Sequence, residues 1–166
     1  PELDDRLRRE RTKAEARLTS DARRAGVRTP VVRDVDPVDG VIAFQRVGDA
    51  DLAERLDPEA VRLVGEYLAR LHGAGIVHGD PTTRNVRVGT GPGGDPRVYL
   101  IDFGLGFHTG HVEDHAMDLH VLEQAVAGTA MDPESLLDAF ESGYLSVGDS
   151  AVIDRLRTIE GRGRYR

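Results

Sequence analysis

Three side chains near the middle of the chain have the types and the order that phosphate chemistry requires. Asp80 is followed five residues later by Asn85, and Asp102 begins an Asp-Phe-Gly sequence after a predicted two-strand hairpin. A carboxylate such as Asp80 can orient a hydroxyl group and accept its proton. The oxygens of Asn85 and Asp102 are the hard ligands that magnesium ions prefer. The spacing therefore predicts phosphoryl transfer, which depends on positioning and charge neutralisation more than on covalent chemistry.

Each of these fragments also has an ordinary structural explanation. Asp80 and Asn85 could cap a loop, and residues 102–104 could form a turn at the end of a strand. The fragments nevertheless occur in a fixed order, behind a predicted helix and with predicted strands on both sides of residues 89–96. This combination favours the catalytic interpretation. It resembles the catalytic loop and the metal-binding loop of protein kinases.

The composition is that of an ordinary globular domain. Of the 166 residues, 39% are hydrophobic and 31% are charged, so we expect one folded unit rather than disorder. There is no cysteine and no apolar run as long as a membrane span, so we expect a cytoplasmic protein without disulfides. The net charge of -7 argues against nucleic-acid binding through the overall field of the molecule.

Apolar spacing and helix-end signals predict the elements that position these side chains. A first helix covers residues 2–25, and it is followed by a hairpin made of an extended segment over 27–35, a turn and a strand over 41–47. A second helix begins at Pro58, with Asp57 as its N-cap, and ends near Gly73. Further strands are predicted at 86–88 and 98–101, and further helices at 113–127, 133–144 and 149–160.

The chain as a whole resembles the small atypical serine/threonine kinase and ATPase of the KEOPS complex, a RIO-like family of archaeal type. The resemblance is carried by residues 8–18, 26–30, 78–85, 99–106 and 162–166. It implies a two-lobed, protein-kinase-like α+β fold that uses ATP and Mg²⁺. It also implies ATP hydrolysis or Ser/Thr phosphorylation in support of tRNA threonylcarbamoyladenosine modification. The implied partners are the threonylcarbamoyl-transfer ATPase subunit, other KEOPS subunits and, through the complex, tRNA.

The resemblance also assigns roles beyond the catalytic base and the two metal ligands. Glu15 on the first helix and the backbone of Gln45 and Val47 are implied to contact ATP. Asp118 is implied to brace the catalytic loop through its backbone amides, and His78 to organise that loop as a packed residue. Glu15 and Asp118 could instead be carboxylates on helix surfaces, and a plain buried strand would explain residues 44–47 almost as well.

The chain departs from common protein kinases in two ways. Gly79 stands at the position where common protein kinases have an arginine that binds an activation-loop phosphate, and no Ala-Pro-Glu follows Asp102. We therefore do not expect switching by loop phosphorylation. No glycine-rich phosphate loop and no phosphate-holding lysine precede Glu15. We therefore expect a fragment of a longer protein, such as a fusion with the threonylcarbamoyl-transfer ATPase, and poor activity from the isolated chain.

The missing phosphate loop and lysine predict an incomplete N-lobe, and two alternative functions stay open. We expect an incomplete N-lobe over residues 1–47, a small helical C-lobe over 48–160 and a flexible basic tail over 161–166. A small-molecule kinase of the aminoglycoside type and an inactive pseudokinase scaffold are the alternative functions. His111 and His115 lie four residues apart, which would suit zinc, but the lack of a clear third ligand favours a solvated loop.

Overall fold

The computed structural model describes residues 2–163, which form five α-helices and seven short β-strands. The helices are α1 (Glu2–Arg24), α2 (Pro58–Gly73), α3 (Val112–Thr129), α4 (Pro133–Val147) and α5 (Ser150–Gly163). The strands are β1 (Val32–Asp36), β2 (Val41–Phe44), β3 (Ala50–Asp51), β4 (Ile76–Val77), β5 (Val86–Thr90), β6 (Pro96–Leu100) and β7 (Phe107–His108). None of the five helices is both long and apolar enough to cross a membrane.

The predicted helices and both predicted hairpins are confirmed, with corrections at their ends. Strand β2 stops at Phe44, so the predicted strand over 41–47 is too long. The β5–β6 hairpin extends to Thr90 and resumes at Pro96, which shortens the predicted loop. Helix α5 continues to Gly163, so the first half of the predicted flexible tail is helical, and residues 164–166 lie outside the described residues.

Helix α2 begins where the sequence signals place it. The Asp57 carboxylate accepts hydrogen bonds from the amides of Glu59 at 2.9 Å and Ala60 at 3.1 Å, which satisfies two of the free N–H groups of the first turn. Pro58 occupies the first helical position, where its missing N–H costs nothing. The cap fixes the start of the helix that precedes the predicted catalytic loop, residues 78–85.

The backbones of α2 and α4 are in contact where the two helices cross, because each helix has a glycine there. A Cβ atom at Gly65 would overlap the carbonyl oxygen of Phe140, and one at Gly143 would overlap the carbonyl oxygen of Arg62. Phe140 is fully buried, and its neighbour Tyr144 is 1% exposed. This close crossing holds the buried face of α4 against α2.

The β5–β6 hairpin brings the two predicted metal ligands to the same end of one sheet. The antiparallel register pairs Val86 with Leu100, so Asn85 immediately precedes one strand and Asp102 follows shortly after the other. The amide of Ile101 donates to the carbonyl oxygen of Asn85 at 3.0 Å and continues this pairing. Buried residues from β5, β6, α2, α3, α4 and α5 form one continuous core beneath the hairpin.

Candidate active site

His78 connects the loop after β4 to the segment after β6. Its side chain is fully buried, and its Nε2 lies 2.8 Å from the carbonyl oxygen of Ile101. Its Nδ1 accepts from the amide of Asp80 at 3.2 Å, so Nε2 carries the proton. Burial lowers the pKa of His78 and keeps the ring neutral, as this arrangement requires. The imidazole therefore ties the backbone of Asp80 to the residue before Asp102.

Asp118 on α3 binds the backbone of the loop after β4. Its Oδ2 accepts from the amide of His78 and its Oδ1 from the amide of Gly79, both at 2.8 Å. The side chain of His72, at the end of α2, lies 2.9 Å from Oδ2. The Asp118 side chain is 2% exposed, so these hydrogen bonds form in a medium that strengthens them.

Asn85 and Asp80 face each other across the loop. The Asn85 side-chain amide donates to the carbonyl oxygen of Asp80 at 2.9 Å and to its carboxylate at 3.2 Å. Both contacts use Nδ2, which leaves the side-chain carbonyl oxygen of Asn85 as a hard ligand for a cation. The structure thus joins the predicted base and one predicted metal ligand directly.

Asp102 has an uncommon backbone conformation. Its φ is 61°, and no other residue except glycine among 2–163 has a positive φ. Such a conformation costs on the order of 1 kcal/mol or more and is found preferentially at functional sites. Gly104 donates its amide to Asp102 Oδ1 at 3.3 Å, and the buried ring of Phe103 packs on His78 with the ring centroids 4.7 Å apart. These contacts therefore hold the Asp102 carboxylate in place despite the strained backbone of this residue.

Glu15 on α1 approaches the same segment. A Cβ atom placed on Gly104 would lie 3.2 Å from Asp102 Oδ1 and 3.6 Å from Glu15 Oε2, so both carboxylates border this glycine. Burial, and then the charge of Asp102, raise the pKa of Glu15. The two neighbouring carboxylates make a local negative potential, which favours a cation at this position.

A cavity of about 360 Å³ lies between α1, the segment after β2 and the end of β6. Its volume is in the range of ligand pockets. The predicted residues that line it are Glu15, Gln45, Val47 and Asp102. Asp80 and Asn85 are not among its lining residues, and they connect to it through His78 and Ile101.

Residues 45–47 form an irregular segment rather than the predicted strand. The amide of Gln45 donates to the carbonyl oxygen of Val31 at 2.8 Å, and the Gln45 side chain accepts from the amide of Val31 at 3.3 Å. The carbonyl oxygen of Val47 accepts from Arg87 Nε at 3.3 Å. These contacts fix the segment along the edge of the cavity.

The sequence interpretation did not identify Thr19, Pro30 or Arg87, which also line the cavity. Arg87 could have been found from alternation, because Val86 and Val88 are buried and place the residue between them on the opposite face of β5. Arg87 pairs with Asp51 at 2.7 Å. Thr19 and Pro30 carry no comparable signal, since they approach the cavity only through tertiary packing.

His115 of α3 has a structural role that the sequence interpretation missed. His115 is buried, not part of a solvated loop, and its ring stacks on that of His72 with a centroid distance of 4.5 Å. His111 occupies the N-cap position of α3. Within residues 2–163 no group of three His, Cys, Asp or Glu side chains is arranged to hold a metal ion.

Comparisons with known proteins identify the family of this chain. Residues 30–144 match the lipopolysaccharide kinase (Kdo/WaaP) family. The chain is 61% identical over 165 residues to a protein of Haloquadratum walsbyi described as a probable bifunctional tRNA threonylcarbamoyladenosine biosynthesis protein. Proteins with the same description from Natronomonas pharaonis and Methanoculleus marisnigri are 62% and 46% identical. Each match covers 99% of this chain, which spans 30% of the length of these relatives.

Two solved structures share the fold at low sequence identity. WaaP in complex with acyl carrier protein matches with a TM-score of 0.61 and 18% identity, over 90% of this chain and 73% of WaaP. The Chaetomium thermophilum Rio2 kinase, solved with ADP/Mg²⁺ and phosphoaspartate, matches with a TM-score of 0.59 and 16% identity, over 96% of this chain and 56% of that one. The predicted protein-kinase-like α+β fold is thereby confirmed.

Proposed function

Because the chain belongs to the lipopolysaccharide kinase (Kdo/WaaP) family, we propose that it is an ATP-dependent phosphotransferase or ATPase serving tRNA threonylcarbamoyladenosine modification. The observation that carries this proposal is the hydrogen-bonded unit in which His78 and Asp118 hold the loop of Asp80 and Asn85 next to Asp102. In the proposed division of the chain, residues up to about Val47 form a partial N-lobe, residues from 48 to the end of α5 at Gly163 form the C-lobe, and the basic residues at the C-terminus reach a partner.

The cavity is the proposed nucleotide site. Its lining by Phe44, Gln45 and Val47 supports adenine binding there, with backbone groups of Gln45 and Val47 as the proposed polar contacts. Glu15 and Asp102 also line the cavity, and the proposed place of the phosphates is beside these two carboxylates. Their mutual repulsion would be relieved by a cation that accompanies the triphosphate.

The residues present fit a magnesium ion. Asn85 retains a free side-chain carbonyl oxygen, and Asp102 supplies a carboxylate at the same end of the β5–β6 hairpin. A bound magnesium ion would neutralise charge on the transferred phosphoryl group. Asn85 and Asp102 would hold this ion, while the negative region near Glu15 would disfavour bare, metal-free triphosphate.

Asp80 is the proposed base. Its carboxylate is oriented by Asn85 Nδ2, and its backbone is fixed by His78, so it can receive a proton without reorganising the loop. An acceptor hydroxyl or a water oxygen would form the new bond to the γ-phosphorus as the bond to the ADP oxygen breaks. The proton of the attacking oxygen would pass to the Asp80 carboxylate.

The proposed partners follow from the named relatives. Their descriptions specify bifunctional tRNA threonylcarbamoyladenosine biosynthesis proteins, and this chain matches 30% of their length. We therefore propose that it acts with the threonylcarbamoyl-transfer ATPase and other KEOPS subunits in the cytoplasm, and meets tRNA through that assembly. The TM-score of 0.61 to WaaP at 18% identity supports a common fold alone.

The test is ATP turnover in the presence of the partner subunit, with and without tRNA, together with tRNA modification in the same mixture. We expect magnesium-dependent phosphate release and loss of modified tRNA when Asp102 is replaced by alanine. An aminoglycoside that stimulated ATP consumption while tRNA had no effect would support the small-molecule kinase instead. Partner binding without any phosphate release would indicate a scaffold.

A further inference from the structure

A buried chain of hydrogen bonds runs from α4 to the catalytic loop. Tyr144 Oη lies 2.8 Å from His72 Nδ1, and His72 Nε2 lies 2.9 Å from Asp118 Oδ2. The same Asp118 oxygen accepts from the amide of His78 at 2.8 Å. Tyr144 is 1% exposed, and the side chains of His72 and Asp118 are 3% and 2% exposed. A tyrosine that is remote in sequence therefore reaches the backbone of the loop through two side chains.

The carboxylate of Asp118 determines the proton positions in this chain of hydrogen bonds. An ionised Asp118 can only accept, so His72 Nε2 must donate to it and His72 Nδ1 must accept from the hydroxyl of Tyr144. Burial lowers the pKa of His72 and keeps its ring neutral. Burial, and then the charges of Asp149 and Asp118, raise the pKa of Tyr144, which keeps its proton. One arrangement of donors and acceptors satisfies all three groups.

The packing around the chain prevents its side chains from rotating. His115 stacks on His72 with an interplanar angle of 3°, and its Nε2 lies 3.1 Å from the carbonyl oxygen of Thr109 in the segment after β7. Gly143, next to Tyr144, is in backbone contact with α2. The hydroxyl of Tyr144 is thus held at His72 by two helices that cannot slide without overlap.

We propose that Tyr144 is a positioning residue, which acts through His72 and Asp118 to fix the backbone of His78 and Gly79 and thereby the direction of the Asp80 carboxylate. The catalytic part of this inference rests on the proposed function. Loss of the hydroxyl would leave His72 Nδ1 without its donor and weaken the hold of His72 on Asp118, which would loosen the amides that Asp118 binds. Nucleotide affinity would be preserved, because the cavity is lined by α1, residues 44–47 and the ends of β6 and β5.

The direct test is Tyr144→Phe, which removes one hydroxyl and keeps the ring. We expect ATP turnover to fall about three- to tenfold with KM for ATP changed less than about twofold, since one hydrogen bond is lost away from the nucleotide. Amide hydrogen exchange at His78 and Gly79 should accelerate by a similar factor. Tyr67→Phe is the matched control, because Tyr67 is also buried and lies on α2 without contacting Asp118. It should leave both quantities within about twofold of the wild-type values.

A merely structural role gives a different result. If Tyr144→Phe lowers the melting temperature but leaves turnover and exchange at His78 and Gly79 unchanged, Tyr144 is not a positioning residue. If this variant does not fold, ¹⁵N NMR of the unmodified protein decides: we expect His72 with a proton on Nε2 alone, and a proton on Nδ1 would overturn the proposal. Absence of ATP turnover by the wild-type protein with its partner subunit would contradict the proposed function, whereas the exchange and tautomer measurements would still test the positioning.

Discussion

The catalytic loop and the first helix of this chain are built in opposite ways. Around the loop, His72, His78 and Asp118 are almost fully buried and bonded to one another or to backbone. On α1, Leu3 is 68% exposed, and the Arg6–Glu10 ion pair has side-chain exposures of 78% and 59%. The contrast teaches that the loop with the candidate base Asp80 is positioned by buried polar contacts, while α1 brings Glu15 to it on a largely solvated helix.

The largest effect on stability is expected from Asp118→Ala. This change leaves the amides of His78 and Gly79 and the ring of His72 without their acceptor in a buried place, so the free energy of unfolding should fall by about 3–5 kcal/mol. Chemical denaturation measures it. Asp132→Ala is the control, because Asp132 is exposed and makes no side-chain cap hydrogen bond. Equal losses in the two variants would contradict the contrast drawn above.

The next largest effect is expected at the crossing of α2 and α4. Gly143→Ala forces a methyl group into the carbonyl group of Arg62, and the free energy of unfolding should fall by about 1–3 kcal/mol. Gly128→Ala in α3 meets no atom within 4 Å, and should be neutral or stabilise by up to about 1 kcal/mol. Thermal denaturation of both variants would test this. A stabilised Gly143→Ala protein would show that the helices can separate without loss.

A third prediction concerns Glu123, which is buried on α3. Arg157 of α5 forms ion pairs with Glu123, with Glu160 of α5 and with Glu141 of α4. Burial, and then the hydrogen bond with Glu160, raise the pKa of Glu123 to about 7. The folded state therefore binds a proton that the unfolded state releases near its ordinary pKa. The stability that this proton provides is present in acid and is lost as the pH rises from about 4.5 through about 7.

Glu123→Gln tests this assignment. Relative to that variant, the wild-type protein should lose stability between pH 5 and pH 8, by on the order of 1 kcal/mol. Denaturant titrations at both pH values give the difference. Parallel stability curves for the two proteins over this range would show that the Glu123 proton is not released there.

The smallest effect is expected on the exposed face of α1. Arg6→Ala removes an ion pair in which both partners are solvated, so the free energy of unfolding should change by less than about 0.5 kcal/mol. Raising the salt concentration should reduce even this difference. A loss as large as that of Asp118→Ala would mean that α1 is as tightly integrated as the catalytic loop.

Local signals predicted most of the elements of the fold. Asp57 and Pro58 define the start of α2, and the glycine- and proline-rich stretch between two valine-rich runs defines the β5–β6 hairpin. Strand β2 was predicted three residues too long, because Gln45 bonds to Val31 outside the regular ladder. Pairs such as β4 with β7 join two-residue strands, which leave no periodic pattern in the sequence.

For the candidate site, short-range spacing predicted which residues would lie close together. Asp80, Asn85 and Asp102 were selected from their order, and the structure places the first two in contact and the third at the end of the paired hairpin. The contacts of His72 with Tyr144 and of Arg87 with Val47 could not be predicted. They join residues 72 and 40 positions apart, and only the tertiary packing brings them together.

The central claim is that Asp102 and Asp80 carry magnesium-dependent phosphoryl transfer, and release of phosphate from ATP by the protein with its partner subunit tests it most directly. We predict that turnover requires magnesium, that Asp102→Ala abolishes it, and that Asp80→Asn lowers it by about a hundredfold or more, while Asp132→Ala retains it. All three variants should keep the wild-type circular dichroism spectrum. Turnover by Asp102→Ala at the wild-type rate would contradict the account.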